Sequence, residues 1–418
     1  MPHPDETSVS RRSLRALDGL NFFLADAQTG VGPFVAIHLA SARHWDDQRV
    51  GMALSVAAIA GVLAQLPAGA IVDWTRSKRA LVGIGVAALV VSALLFAFVP
   101  SFKAVVLAQI LLGGFGALFV PSLNAITLGL VGPRLLDWRV GRNQAFNSAG
   151  NVFAAAVMGF IGFFLSTQAI FLTVILFSIP TLLSLALIRP EEIDYERARA
   201  ANAGATAGNA RLRSLLADRR LTAFITCVFL FHFANAAMLP QLGEMLARGH
   251  ARQSSLFMGA CVMVTQITIS LIAVWVSRRS RSWGRKPLLL AGFGVLPIRG
   301  VLYTLTAYAP VLVAIQVLDG IANAIYLVVG VLVVADLTRG TGRFNLMQGA
   351  LGVAQGMGAA ASTTFAGTIV HHYGYHAGFL SLAGIAVVAC GLLWFAVPET
   401  KDTERSSYDQ REEAPAVA

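Results

Sequence analysis

The chain has 418 residues, of which 56% are hydrophobic and only 13% charged, and its mean hydropathy is +0.67. A water-soluble domain carries about 25% charged residues, so this chain cannot cover a water-exposed surface and lipid must be the solvent for most of it. A net charge of +10 would raise nucleic acid as a partner for a soluble protein, but the placement of the charges along the chain excludes it.

A polar tail of residues 1–16 precedes six predicted spans at roughly 17–41, 48–72, 80–99, 104–131, 143–165 and 167–188. The first apolar run is too long for the core of a cleaved leader, so that span is expected to remain in place. A hydrophilic stretch, 189–220, divides the sequence near its middle, carrying Glu191, Glu192, Asp194 and Glu196 and then Arg211, Arg213, Arg219 and Arg220. It reads as a solvated linker lying on the anionic inner leaflet. Six further spans follow at roughly 221–246, 255–277, 287–308, 310–337, 343–370 and 377–397, and a polar tail of 398–418 comes last. The predicted domains are therefore a first six-helix bundle, 17–188, and a second, 221–397.

With both tails on one side, 26 Lys and Arg fall there and only 5 on the other, namely Arg43, Arg49, Lys103, Arg248 and Arg252. That asymmetry is the positive-inside pattern, and it predicts a multi-pass inner-membrane protein with both termini cytoplasmic. The basic charge orients the chain in the bilayer, and no nucleic-acid partner is expected. Cys227, Cys261 and Cys390 all fall inside spans, without disulfide or metal-ligand spacing, so no metal or other cofactor is expected.

The two halves repeat each other. Ala108 to Gly113 matches Ile315 to Gly320 at an offset of 207, Ala25-Asp26-Ala27 matches Ala234-Asn235-Ala236 at 209, and Gly141-Arg142 matches Gly342-Arg343 at 201. Three matches in chain order with slowly drifting offsets indicate a six-helix unit used twice. Parallel repeats of this kind, related by an axis along the membrane normal, occur in transporter folds with the substrate near midplane between the halves.

The loop after the second span reads Gly69-Ala-Ile-Val-Asp73-Trp-Thr-Arg76-Ser-Lys78-Arg79. It resembles the signature G-x-x-x-D-R-x-G-R-R/K of the major facilitator superfamily, at the same place in the topology. Gly284-Arg285-Lys286-Pro287, after the eighth span, resembles the degenerate second copy. The resemblance covers the whole chain and implies an all-α membrane fold of two six-helix bundles around a pseudo-two-fold axis. It also implies gating roles for Gly69, Asp73, Lys78, Arg79, Gly284, Arg285 and Lys286, with Asp73 facing basic residues and pairing across the interface between halves. Trp74, Arg76 and Arg281 depart from the usual pattern, Gln109 stands where many proton-coupled members carry Arg, and the fifth span lacks the Gly-Pro motif of drug/proton antiporters.

Ionisable groups inside a bilayer cost about 2.5–3.5 kcal/mol each, so each is a functional candidate. Asp26 lies about nine residues into the first span, roughly 14 Å deep at 1.5 Å per residue. Gly30, Gly32 and Pro33 follow it and favour a bend, leaving Asp26 to serve either the loosened backbone or a proton. His232 and Asn235 share a face of the seventh span. On the tenth, Gln316, Asp319, Asn323 and Tyr326 are spaced 3, 4 and 3 and form one polar ridge. Asn147, Asn151 and Gln355 complete the candidate substrate- and proton-binding set, with interhelical hydrogen bonding as the plainer role for the amides. Arg299 and Asp319 fall at similar depth on successive antiparallel spans and are predicted to form a buried ion pair, which would make Asp319 structural and leave Asp26 to carry the proton.

These features predict a monomeric secondary active transporter, not an enzyme, moving a small-molecule substrate by alternating access with protons as the coupling ion. An apolar cavity favours efflux, whereas the polar ridge favours uptake of a specific metabolite by symport. A receptor or scaffold on the same fold is a third reading.

Overall fold

The computed structural model describes residues 9–29, 35, 38–39, 45, 47–99, 101–200 and 218–401, with the side chains of 26–29, 47–48, 51, 159, 163, 167 and 246–256 also left undescribed. In the first half the helices are α1 (Arg11–Thr29), α2 (Asp47–Trp74), α3 (Lys78–Phe98), α4 (Phe102–Gly116), α5 (Phe119–Phe164) and α6 (Thr167–Leu187). In the second half they are α7 (Arg219–Asn235), α8 (Met238–Trp283), α9 (Arg285–Leu305), α10 (Ala309–Leu337) and α11 (Phe344–Ala396). Helix is the form that lipid imposes, because every backbone N–H and C=O must then be satisfied within its own segment.

Among the described residues, 9 stretches are long and apolar enough to cross a membrane, two of them far too long for one crossing at 61 residues (Phe102–Gly162) and 53 residues (Phe344–Ala396). Each is two spans joined at a glycine. Gly132 (φ 64°, ψ 177°) breaks α5 and Gly374 (φ 82°, ψ 174°) breaks α11. A side chain is poorly tolerated in that region, so glycine is what permits the reversal. Eleven crossings result, and α1 begins the twelfth, its continuation lying outside the described residues.

Two features differ from the sequence-based expectation. The stretch 132–142, read as a loop before the fifth span, is helical from Pro133 onward. Proline needs no amide partner in a first helical turn, so it starts the helix ten residues before the span read from hydropathy. The linker is also not solvated throughout. Two 3-10 turns, Pro190–Glu192 and Arg197–Arg199, fold it against the bundle, and Ala198 and Arg199 are 0% and 2% exposed.

Two large apolar clusters form the core, the second extending across the halves to Leu128, Leu136 and Val140. Leu17, Leu20, Val86, Phe96, Phe119 and Phe171 build the first, and Phe224, Phe231, Phe293, Val329, Phe344 and Leu393 the second. Large apolar side chains also point outward, including Leu63, Leu271 and Phe395 at 71%, 76% and 87% exposed. In water such a surface would aggregate; in a bilayer it is the solvated face. The halves meet where α2 lies along α11 and α5 along α8.

Candidate functional site

The polar residues cluster at two levels, one on the face that carries the basic loops and one deep within the second half. At the basic face Asp73 ends α2 and reaches the first turn of α11 in the other half. Its carboxylate accepts the Leu346 amide at 2.7 Å, the Asn345 amide at 3.1 Å and the Asn345 side-chain Nδ2 at 2.9 Å. Amides in the first turn of a helix have no intrahelical acceptor, and the helix dipole favours an anion there. Besides the basic Lys78 beside it, Asp73 thus has a helix N-terminus of the other half as its hydrogen-bonding partner. Lys78 turns back to the carbonyl of Val72, capping the end of α2. Gly69, one turn before Asp73, lies so close to α11 that a Cβ would collide with the Asn345 carbonyl.

The second copy of the signature reverses the charges. Arg285 starts α9 and gives a two-pronged contact to Asp137 of the first half, Nη2 at 3.0 Å and Nη1 at 3.2 Å, while Arg281 adds a third at 3.5 Å. Asp137 sits one turn after Pro133, near a helix start, where a carboxylate is favoured. Arg285 also reaches Asp336 at 3.1 Å, within its own half. Glu399 accepts the amides of Arg285 and Lys286 at 2.8 and 3.0 Å. The next basic residue serves the same end in both halves: Arg79 donates to the Leu185 carbonyl at 3.0 Å and Lys286 to the Trp394 carbonyl at 2.6 Å. Each ties the start of one span to the end of another.

A third cluster stands within the first half and was not singled out from sequence. Asp18 accepts Arg139 at 2.7 Å and Arg142 at 2.7 Å, while Arg139 donates to Asn143 at 2.7 Å and Asn143 to Thr127 at 2.8 Å. Reading 132–142 as a loop hid this cluster. The signal was present in Arg139 and Asn143, four apart, as helix neighbours.

Deep in the second half, Arg299 of α9 pairs with Asp319 of α10. The same guanidinium reaches Asn235 at 2.6 Å, at the point where α7 gives way to α8. Asp319 further accepts Thr265 Oγ1 at 3.1 Å and Asn323 Nδ2 at 3.0 Å, and Gln316 donates to the Tyr303 hydroxyl at 2.7 Å. Three residues of the tenth-span ridge thus face protein. The fourth, Tyr326, is 7% exposed and packs against Phe231 at 5.2 Å and His232 at 4.8 Å between ring centroids. His232 Nδ1 lies 2.9 Å from the Val228 carbonyl. Asn147 and Asn151 contact each other at 3.5 Å, and Gln355 is exposed. The Asp26 side chain lies outside the described residues, its backbone being in α1. Among the described residues no group of His, Cys, Asp and Glu is placed to hold a metal ion.

The arrangement as a whole is two helical halves that pack along α2–α11 and α5–α8, with their polar contacts gathered at the basic face. Comparison with known proteins places it. The family model of the Major Facilitator Superfamily matches residues 18–296 and 250–417. The chain belongs to the major facilitator superfamily, a family of membrane transporters. It is 39% identical over 400 residues to an uncharacterized MFS-type transporter of Mycobacterium tuberculosis, found in strains H37Rv and CDC 1551 / Oshkosh, covering 95% of this chain and 96% of that one. Among solved structures it resembles the proton:xylose symporter XylE (TM-score 0.71, 17% identity, 95% of this chain and 98% of that chain). It also resembles the human organic anion transporter MFSD10 (TETRAN) (TM-score 0.66, 19% identity, 94% and 100%). At those identities the likeness concerns the fold.

Proposed function

We propose that the chain is a secondary active transporter that exports a small organic solute across the inner membrane by alternating access, driven by protons. The observation that carries this reading is the polar part of the inter-half contact at the basic face, Asp73 on the first turn of α11 and Arg285 on Asp137, which adds directional, breakable bonds to the packing of α2 on α11 and α5 on α8. A scaffold has no need of hydrogen bonds and ion pairs placed where two halves meet at one end. The joint lies on the face bearing most of the basic charge, which the positive-inside rule assigns to the cytoplasm. Closed there, the protein is in its outward-facing arrangement.

Proton coupling rests on Asp26. Asp319 is already engaged by the Arg299 pair and the Thr265 and Asn323 hydrogen bonds, so the carrier's role falls to the carboxylate of the first span. Efflux of an amphipathic solute is supported by the aromatic pairs on helices of both halves, Phe22 with Phe153 and Phe233 with Phe365, each at 5.5 Å. The polar groups of α10 are meanwhile engaged with side chains of α8, α9 and α10 itself rather than arrayed for a ligand.

The test is transport in proteoliposomes under an imposed pH gradient, with a panel of amphipathic and hydrophilic solutes. Solute-dependent proton movement opposite to solute movement is the expected result, and Asp26→Asn should abolish it. Movement in the same direction would make the protein a symporter. Proton movement unchanged in Asp26→Asn would remove Asp26 as the carrier.

A further inference from the structure

The linker does more than join the halves. Its segment 193–200 is seated in the joint. On the first half the Asp194 amide donates to the Gly129 carbonyl at 3.1 Å, and the chain lies so close that a Cβ on Gly129 would strike Ile193, Asp194 and Ala198. The Tyr195 hydroxyl is 3.1 Å from the Trp74 carbonyl and 3.4 Å from that of Asp73. Its ring is surrounded by cations, with Arg199 at 4.9 Å, Lys78 at 5.2 Å and Arg76 at 5.3 Å, the arrangement in which an aromatic face attracts positive charge.

On the second half the same segment accepts two hydrogen bonds. Asn345 Nδ2 donates to the Ala198 carbonyl at 2.9 Å, and the Gly342 amide donates to the Ala200 carbonyl at 3.4 Å. An amide nitrogen has two hydrogens, and Asn345 uses one on Asp73 and the other on Ala198. One side chain thus ties the gate carboxylate and the linker together. Ala200 takes a left-handed conformation (φ 56°) to end the segment, a cost for a residue with a Cβ.

We infer that residues 193–200 form a bolt across the joint: seated, they hold the two halves together on the basic face, and each transport cycle must unseat them. The inference rests on the alternating-access reading. The segment is anchored to the first half through Asp194 and Tyr195 and to the second through the donors Asn345 and Gly342. When the halves part, the bolt should leave with the first half. Asn345 then loses both acceptors in one movement, which makes release of the carboxylate and of the bolt a single step rather than two. Tyr195 is accordingly a positioning residue: it touches no solute and sets how readily the halves separate.

The experiment reads the separation directly, without transport. Spin labels are placed at Ser77 of the first half and Ser282 of the second, both exposed on the basic face, in a chain whose three cysteines are replaced by alanine. Distances are then measured by pulsed electron paramagnetic resonance. Tyr195→Ala should raise the long-to-short population ratio about tenfold, and Tyr195→Phe, which keeps the ring and loses the hydroxyl, about threefold. Asp73→Asn is the reference for a weakened joint. A lengthened distance in Asp73→Asn beside unchanged distributions in both Tyr195 variants overturns the bolt and leaves alternating access standing. A single unshifted distance in all three variants overturns both. Tyr195→Phe is conservative enough to carry the comparison alone if the alanine variant does not fold.

Discussion

At the scale of the residue, charge decides which side chains are structural. Arg299 is 1% exposed, and it is held by Asp319 and Asn235. Removing one member of a buried pair leaves the other charge uncompensated, at about 3–5 kcal/mol, whereas removing both is far less costly. Arg299→Leu and Asp319→Leu singly should therefore lower the apparent Tm in detergent sharply, and the double variant should recover most of the loss. Equal Tm values for the single variants and the parent would show that the pair bears no weight. Asp73 works differently. Its anion is satisfied by neutral donors at a helix start, so it can be released by moving a helix without stranding a buried cation. On the proposed reading, in which Asp73 lets go in every cycle, such a partner serves better than an ion pair.

At the scale of the element, two glycines do what the hydropathy of the chain cannot. Gly132 and Gly374 turn apolar stretches of double length into pairs of spans. With φ at 64° and ψ at 177°, Gly132 occupies a region nearly closed to other residues, and Gly132→Ala should cost about 1–3 kcal/mol. The expected outcome is a lower Tm together with loosening of the Asp18–Arg139 cluster, since both depend on where the helix from Pro133 begins. A Tm equal to that of the parent would mean the turn tolerates a side chain. The existence and order of the spans were legible in the sequence because lipid demands long apolar runs. The ends of the fifth span were not, because residues 133–142 mix charged and apolar side chains and carry no clear hydropathic signal. Arg139 was lost with them.

At the scale of the whole molecule, the two halves share a frame and invert its chemistry. The first presents Asp73 to a helix N-terminus; the second presents Arg281 and Arg285 to Asp137 at the corresponding helix start. Each loop thus grips the opposite half, and the grip depends on close approach. Gly69 admits α11, and Gly349 of α11 admits the backbone of Gln65 in return. Gly69→Val should hold the basic face apart while leaving each core intact. Lys78, 1% exposed in the closed joint, should then react with an amine reagent about tenfold faster, and transport should fall by a similar factor. Unchanged Lys78 labelling would show that α2 and α11 can close over a side chain.

Composition, repeat and charge asymmetry by themselves determined that this is a membrane protein of two similar six-helix halves with one basic face, because those properties follow from local solvent preference summed along the chain. The resemblance around Gly69 and Asp73 added the family, which the match to the family model shows. The tertiary structure alone decided the partners. Asp73 meets Leu346, 273 positions away, and Asp137 meets Arg285, 148 positions away. The linker, polar enough to read as solvated, is drawn into the joint because Asp73, Gly129 and Asn345 place their unsatisfied groups around it. Hydrogen bonds of that kind are chosen by the meeting of distant segments, and no local pattern records them.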